Sequence, residues 1–418
     1  MHEFKYRHNN LFCESVDVAS VAEKVGTPFY LYSHQTLVDH YQKIKRAFSS
    51  VGPLICFSMK ANSNLAVCRA LTREGAGLDI VSGGELYKAL KLGADPEKIV
   101  FAGIGKSRRE IEDAIRAGIL FFNVESLPEM DLLDSVAKEL NKTVDVCLRL
   151  NPDVAVKTHR YIVTGMSESK FGIDFEAARR VLERADAFEN LRIKGLHVHI
   201  GSQITHARPY VRALKRVYSF VKRSPIPLEY LNIGGGLGIV YNKERPQTAN
   251  NFAKAVLPVI KNIKLKLILE PGRFIAGNSG ILVTKVSYVK ESYNKKFVIV
   301  DAGMNDLVRP SHYSAYHAIQ PVMRHTQKSS HSMIADIVGP ICESGDFLAK
   351  ARQMPRVSQG DFLAVMSAGA YGFTMSSNYN SRPRAAEVMV VKDKFYIVRE
   401  RENYKDLIRG EIIPRELR

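Results

Sequence analysis

The chain has 418 residues, 45% of them hydrophobic and 25% charged, which is long for one compact domain and comfortable for two, with apolar surface enough that neither disulfide nor metal is needed as a staple. Lys and Arg outnumber Asp and Glu by 60 to 43, a formal charge of +17. The basic residues fall in short scattered clusters such as Lys106-Ser107-Arg108-Arg109 and Lys261-Asn262-Ile263-Lys264, with no basic arm, zinc finger or aromatic-basic motif, so a solvated basic surface is expected and nucleic-acid binding is not.

In chain order, Met1–His8 lacks the apolar core of a signal peptide, and no later run is apolar over membrane-spanning length; a soluble, cytoplasmic protein without a membrane partner is expected. Phe29-Tyr30-Leu31-Tyr32 reads as a strand. Beyond it, short apolar strands alternate with longer helical segments. The predicted strands are Leu54–Met59, Gly77–Val81, Ile99–Ala102, Ile119–Asn123, Val144–Leu150, Gly195–Ile200, Tyr230–Ile233 and Leu265–Glu270. The predicted helices are Asn64–Glu74, Gly84–Leu92, Arg108–Ala117, Leu127–Leu140, Asp174–Ala187, Arg208–Val221 and Asn250–Ile263. Ser107 and Ser126 stand where helix caps belong. Eight strands alternating with helices predict a parallel sheet, and the count favours a closed (β/α)₈ barrel of TIM type, over residues 35–275, above an open doubly wound sheet.

After the barrel region the texture changes. Ile281–Tyr288, Lys296–Asp301, Asp361–Met366, Glu387–Val391 and Phe395–Arg399 read as strands, the last two joined as a hairpin. Long helices are scarce. The sequence therefore predicts a second, mostly β domain from residues 276–418, joined by residues 1–34, because chain ends often lie close together. Five cysteines (Cys13, Cys56, Cys68, Cys147 and Cys342) are odd in number, irregular in spacing and without a C-x-x-C pair, as expected of free thiols in a reducing cytoplasm.

Barrel enzymes place their chemistry at the C-terminal ends of the strands. The first strand ends in Phe57-Ser58-Met59-Lys60-Ala61-Asn62, where a partly desolvated lysine becomes an amine able to condense with a carbonyl. The sixth ends in His197-Val198-His199-Ile200-Gly201-Ser202. Its two histidines share a face; no carboxylate stands near them in sequence to complete a metal site, and an imidazole can instead stack on a flat ring. The seventh ends in Gly234-Gly235-Gly236, where glycines let the backbone approach an anion. The eighth ends in Glu270-Pro271-Gly272-Arg273, a carboxylate suited to a protonated pyridine nitrogen and a guanidinium suited to phosphate or carboxylate. Each alone has a bland reading: a surface lysine, a structural turn, a structural ion pair. Together, at strand ends in order, they call for one anionic aromatic aldehyde. In the β region, Cys342-Glu343-Ser344-Gly345-Asp346 puts a thiol beside a carboxylate in a loop-like setting. Ala370-Tyr371-Gly372 offers a hydroxyl among small residues, and Arg309-Pro310-Ser311-His312-Tyr313 adds a guanidinium and a phenol.

Taken end to end, from Gly26-Thr27-Pro28-Phe29 to Ser381-Arg382-Pro383-Arg384, these motifs resemble the fold-type III pyridoxal-phosphate decarboxylases, and among them the branch acting on meso-2,6-diaminopimelate. Carrying the resemblance are F-S-M-K-A-N, S-G-G-E-L, H-V-H-I-G-S-Q, N-I-G-G-G-L-G, E-P-G-R-F-I-A-G, C-E-S-G-D and A-G-A-Y-G. The resemblance implies a barrel plus a β domain built from both chain ends, pyridoxal 5′-phosphate as cofactor, no metal, and decarboxylation to L-lysine. It implies that Lys60 carries the cofactor and that His199 stacks on its ring. Ser202, Gly235, Gly236, Gly272, Arg273 and Tyr371 bind phosphate, and Glu270 faces the ring nitrogen. Arg273, Arg309, Tyr313 and Tyr371 contact substrate, with the arginines and Tyr313 at its distal carboxylate. Glu343 reads the distal ammonium and Cys342 donates a proton. It also implies a homodimer with shared active sites, in which Cys342 and Glu343 reach the partner's barrel. The departure at Ile104-Gly105-Lys106, after the third strand, sits where tolerance is expected.

Ornithine, arginine or carboxynorspermidine decarboxylases of the same fold are alternatives, but would lack arginines for a distal carboxylate. A barrel-type racemase would need two bases flanking Cα, and the thiol loop suits a proton donor better. A non-enzymatic binding protein would have little use for both Lys60 and Cys342.

Overall fold

The computed structural model describes residues 2–155, 165, 169–324 and 332–418. Its residues divide into two compact units, Leu37–Ala276 and Met1–Thr36 with Gly277–Arg418.

The first unit is a closed barrel of eight parallel strands. In chain order they are Leu54–Ser58, Gly77–Ile80, Ile99–Phe101, Phe121–Val124, Val144–Leu150, Leu191–Val198, Tyr230–Asn232 and Lys266–Leu269. Each strand pairs with its neighbours in sequence, and the eighth closes on the first through Ile268 opposite Leu54 and Leu269 opposite Ile55. The short strands read as nearly unbroken apolar runs because they are covered on both sides. Between them run the helices Leu65–Arg73, Gly83–Lys91, Arg108–Ala117, Leu127–Glu139, Phe175–Glu183, Arg208–Val221 and Ala249–Ile263. Their ends are written in the sequence. Ser107 caps Arg108–Ala117 in a reciprocal box with Glu110, and Gly118, at φ +71, stops it in the left-handed region. Ser126, Asp174 and Thr248 cap three more with side-chain oxygens.

The second unit is mostly β. The N-terminal strand Phe29–Ser33 lies inside its main sheet, antiparallel to Gly280–Ser292 on one side and parallel to Ala386–Val391 on the other. Phe29, Leu31, Ile281, Val283, Val388 and Val390 alternate inward there, and pack with Leu11, Val18 and Val21 into one core. Beyond the predicted strands stand two long ones, Ser332–Val338 and Phe347–Pro355, paired antiparallel. A small three-stranded sheet near the N-terminus, begun by Phe4–Arg7 and Asn10–Cys13, is also new. Among the described residues no helix is long and apolar enough to cross a membrane.

Candidate active site

Inside the barrel, Cys56, Val100, Phe121, Cys147 and Ile268 pack into one buried layer, with Tyr230 against it. Side chains alternate along a strand, so the residue two further on points the same way. Those positions are Ser58, Ala102, Asn123, Arg149, Glu270 and Asn232. By the same step Gly77 leads to Asp79, and Gly195 to His197. The interior thus turns from apolar to polar in one layer, at the end of the strands where barrel chemistry sits.

Glu270 is the centre of that polar layer. Its Oε1 accepts from Asn232 Nδ2 at 2.5 Å and from Asn123 Nδ2 at 3.1 Å. Its Oε2 lies 3.3 Å from His197 Nε2, both side chains being 1% exposed. This is a close electrostatic approach rather than an aligned hydrogen bond, and neither ring nitrogen of His197 has a hydrogen-bond partner. Burial alone would raise the Glu270 carboxyl, but His197 and the charge of Lys60 outweigh it and hold the group well below the usual carboxylate range.

Lys60 stands in a single 3₁₀ turn, Met59–Ala61, directly after the first strand. Its Nζ donates to Asp79 Oδ2 at 3.0 Å, and Ser58 Oγ donates to the same oxygen. Burial and the charge of Glu270 push Asp79 up, against the pull of Lys60 and Ser58. His199 is half-buried, and its Nδ1 accepts from Gly235 N at 3.2 Å. Burial, together with the charges of Arg149 and Lys60, moves it far below its ordinary value, so the ring is neutral. Lys60, His197, His199, Glu270 and Arg149 line a cavity of about 400 Å³ together with Val81, Ala102–Gly105 and Phe171. A larger groove of about 660 Å³ lies between Leu127–Glu139 and Phe175–Glu183, but there acidic and basic side chains are dispersed and no such group converges.

Candidate ligand atoms of His197, His199 and Glu270 lie within 4.8 Å of one another. The carboxylate missing near the two histidines in sequence is therefore present in space. Lys60 and Arg149 set their charge against a cation at that position.

The glycine turn is packed between neighbouring backbones. A Cβ at Gly235 would lie 2.1 Å from Glu270 O, and at Gly236, with φ +97, 2.2 Å from Gly201 O. The N–H groups of Gly234 and Gly235 go to Asn232 Oδ1 and His199 Nδ1, so the turn orders the site residues themselves. Gly272 lets the Glu270–Arg273 turn close on the end of the first strand and the turn after it, where a Cβ would come 3.0 Å from Ser58 Cβ and 2.9 Å from Ala61 Cβ. Arg273 is buried; its Nε and Nη2 donate to Ser202 Oγ at 3.3 and 3.1 Å, and its Nη1 donates to Tyr241 Oη at 2.7 Å.

Lys60, His199, Ser202, Gly235, Gly236, Glu270, Gly272 and Arg273 thus belong to the barrel unit. Arg309, Tyr313, Cys342, Glu343 and Tyr371 belong to the other. In that unit Arg309 is buried, with its guanidinium carbon 5.7 Å from the Tyr313 ring and its Nε donating to His317 Nε2. Cys342 is exposed, and its N–H donates to Asn380 Oδ1 at 2.7 Å. Glu343 stands beside the Tyr379 hydroxyl and raises it. Asp346 accepts from Met304 N and Ile341 N, both at 2.7 Å, which fixes the thiol loop at its base. Tyr371 sits at φ +56, a left-handed conformation that a bulky residue adopts only where its surroundings impose it.

Two expectations need correction. Lys106 is not part of a solvated basic cluster, and within Ile104-Gly105-Lys106 it is not a place of free tolerance, whereas Ile104 and Gly105 are exposed. Its Nζ donates to Gly103 O at 2.7 Å, Asn123 O at 2.9 Å and Glu129 Oε1 at 2.6 Å. Arg108 and Arg109 beside it are exposed, as expected. Asp79, Asn123, Asn232 and Arg149 stand in the same polar layer, and no role for them is read from the sequence. Their trace in the sequence is a polar residue two positions after one that faces the barrel interior, which marks a site only once the barrel has closed.

The family model for the pyridoxal binding domain of pyridoxal-dependent decarboxylases matches residues 34–277. The chain is 48% identical over 408 residues to the diaminopimelate decarboxylase of Aquifex aeolicus, covering 97% of this chain and 96% of that one. A crystal structure of diaminopimelate decarboxylase from M. jannaschii in complex with L-lysine superposes with a TM-score of 0.93 at 38% identity, over 99% of this chain and 98% of that one. The Helicobacter pylori enzyme, also complexed with L-lysine, gives 0.90 at 39% identity over 94% and 98%.

Proposed function

Because this chain belongs to the diaminopimelate decarboxylases, a branch of the pyridoxal-dependent decarboxylase family, we infer that it converts meso-2,6-diaminopimelate to L-lysine and carbon dioxide, the lysine-forming step of amino-acid biosynthesis. It is a lyase that depends on pyridoxal phosphate. The observation that carries the reading is the convergence of Lys60, His199 and Glu270 on one cavity.

The residues fit the cofactor part by part. Lys60 offers a primary amine for its aldehyde, and Glu270 a buried anion for its ring nitrogen. His199 offers a neutral imidazole face, and His197 supports Glu270 from behind. Ser202, Arg273 and the tightly packed glycine turn suit a phosphate, and the resemblance adds Gly272 and Tyr371 to them. When bound, the cofactor supplies a carbonyl that takes up an amine and a protonated ring that accepts the electrons freed as a carboxylate leaves.

The protein's own part is positioning and proton control. Lys60 acts as an amine only after losing a proton, and Asp79 Oδ2, 3.0 Å from Nζ, is placed to take it. Glu270 stays ionised among its amide and imidazole partners, so a ring nitrogen paired with it keeps its proton. At the far end of the substrate, Arg273, Arg309 and Tyr313 grip the carboxylate and Glu343 pairs with the ammonium. The Cys342 thiol delivers the proton that replaces the lost carboxylate at Cα. Ornithine has no distal carboxylate, and the unsatisfied arginines would cost about 1–3 kcal/mol per polar group.

The enzyme acts as a homodimer, each active site completed by Cys342 and Glu343 of the partner, and it works in the cytoplasm without nucleic-acid or membrane partners. The resemblance supports the shared site, and the free cysteines support the reducing compartment. The direct test supplies cofactor, then meso-diaminopimelate, L-ornithine and L-arginine separately, and measures carbon dioxide and lysine. Release from diaminopimelate alone is expected; release from ornithine but not from diaminopimelate overturns the substrate assignment.

A further inference from the structure

We propose that His317 sets the orientation of the Arg309 guanidinium and so tunes the grip on the substrate's distal carboxylate. His317 is a positioning residue in this account, and the proposal rests on the reading that Arg309 binds that carboxylate.

The local fold brings the two together. Arg309–Tyr313 is a short helix, ended by Ser314 at φ +50 in the left-handed region. The chain then doubles back, with Ala315 N donating to Arg309 O at 3.3 Å. It continues into Ile319–Pro321, which pairs antiparallel with Phe362–Val365. Next to that ladder, Met366 N donates to Ala318 O at 2.8 Å. The carbonyl of Met366 meets a side chain, His317 Nδ1, at 2.8 Å.

A carbonyl can only accept, so Nδ1 must carry the hydrogen. In the neutral ring Nε2 is then a lone pair, and Arg309 Nε donates to it at 3.3 Å. A protonated ring would set an N–H against the guanidinium. Only the neutral Nδ1–H form satisfies both neighbours, and the ring is wholly buried, so no bulk water stands in for either. A second cation works in the same sense, since Arg352 Nη1 donates to His317 O at 2.8 Å. Holding Nε fixes the plane of the Arg309 guanidinium. A fork-shaped contact with a carboxylate depends on that plane, so an arginine free to rotate grips less well.

The test compares His317→Phe, His317→Asn and Arg309→Ala, with each His317 variant also made in the Arg309→Ala background, all loaded with cofactor. Phe keeps the ring without its nitrogens; Asn is too short to hold both neighbours. We expect KM for meso-diaminopimelate to rise roughly tenfold in either His317 variant, as for one misaligned charge-assisted contact. The expected kcat stays within about threefold, the pattern of lost uniform binding, and the cofactor absorbance spectrum is unchanged. In the Arg309→Ala background the His317 variants should add nothing. Unchanged KM in His317→Asn, or a KM effect that persists in full without Arg309, overturns the proposal, and His317→Asn decides should His317→Phe fail to fold. Unchanged KM in Arg309→Ala alone would instead overturn the carboxylate-binding reading beneath it.

Discussion

Lys106 Nζ lies 2.6 Å from Glu129 Oε1, with the two side chains 1% and 8% exposed. The pair belongs to a wider mesh: Glu129 Oε2 accepts from Glu125 N at 2.9 Å, and Glu125 Oε1 accepts from Arg149 Nη1 at 2.7 Å and Gly103 N at 2.9 Å. It ties together the ends of the third, fourth and fifth barrel strands beside the cavity. Lys106→Met leaves a buried carboxylate without its partner and two carbonyls without a donor. That should destabilise the barrel by about 3–5 kcal/mol. Lys106→Met with Glu129→Leu removes both charges and should recover part of the loss, although Glu125 N then lacks its acceptor. Thermal midpoints of the cofactor-free single and double variants check this; a double variant no better than the single contradicts it.

Asp306 predicts a pH dependence. Its Oδ2 accepts from Gly303 N at 3.0 Å, and Oδ1 has no hydrogen-bond partner. Burial pushes the carboxyl up from 3.8 to about 7. A carboxyl raised in the folded state supports the fold fully below its unfolded value, and the support is lost as pH climbs through the folded value. Asp306→Asn keeps the acceptor and removes the charge. Its thermal midpoint relative to the native chain should therefore be higher at pH 8 than at pH 5, and a difference independent of pH would contradict this.

An active site shared between two subunits, as proposed, predicts complementation. Lys60→Ala and Cys342→Ala homodimers should each be nearly inactive, the second with cofactor still bound. Mixed and allowed to exchange subunits, they form heterodimers in which one of the two sites has both residues. With random pairing, activity should return to about a quarter of the native level. Mixtures that stay inactive while subunits demonstrably exchange would place both residues in the same chain's site.

The barrel's strands and helices are legible because local signals mark them. Arg108–Ala117 begins at a capping box and stops at a left-handed glycine, and both ends can be read from residue type. Val144–Leu150 stands out because Val144, Val146, Leu148 and Leu150 put an apolar residue at every second position. Phe347–Pro355 does not: Lys350, Arg352 and Gln353 interrupt it, and irregular register with Ala351 at φ +45 breaks the alternation that marks a strand. The hairpin of Phe4–Arg7 and Asn10–Cys13 turns on His8 and Asn9, both at positive φ, without the glycine that usually announces such a turn. In the site, the residues at strand ends can be singled out from sequence. Asp79, Asn123 and Asn232 cannot, because one polar residue in a short apolar strand means little until barrel closure sets them on one face. Lys106 is hidden for a similar reason, since the carbonyls that surround it belong to two different strand ends.

The most direct test is to reduce the cofactor-loaded protein with borohydride and map the phosphopyridoxyl mass to a peptide. A single tag on Lys60, absent after Lys60→Ala, is expected. A tag on another lysine, or none at all, contradicts the role given to Lys60.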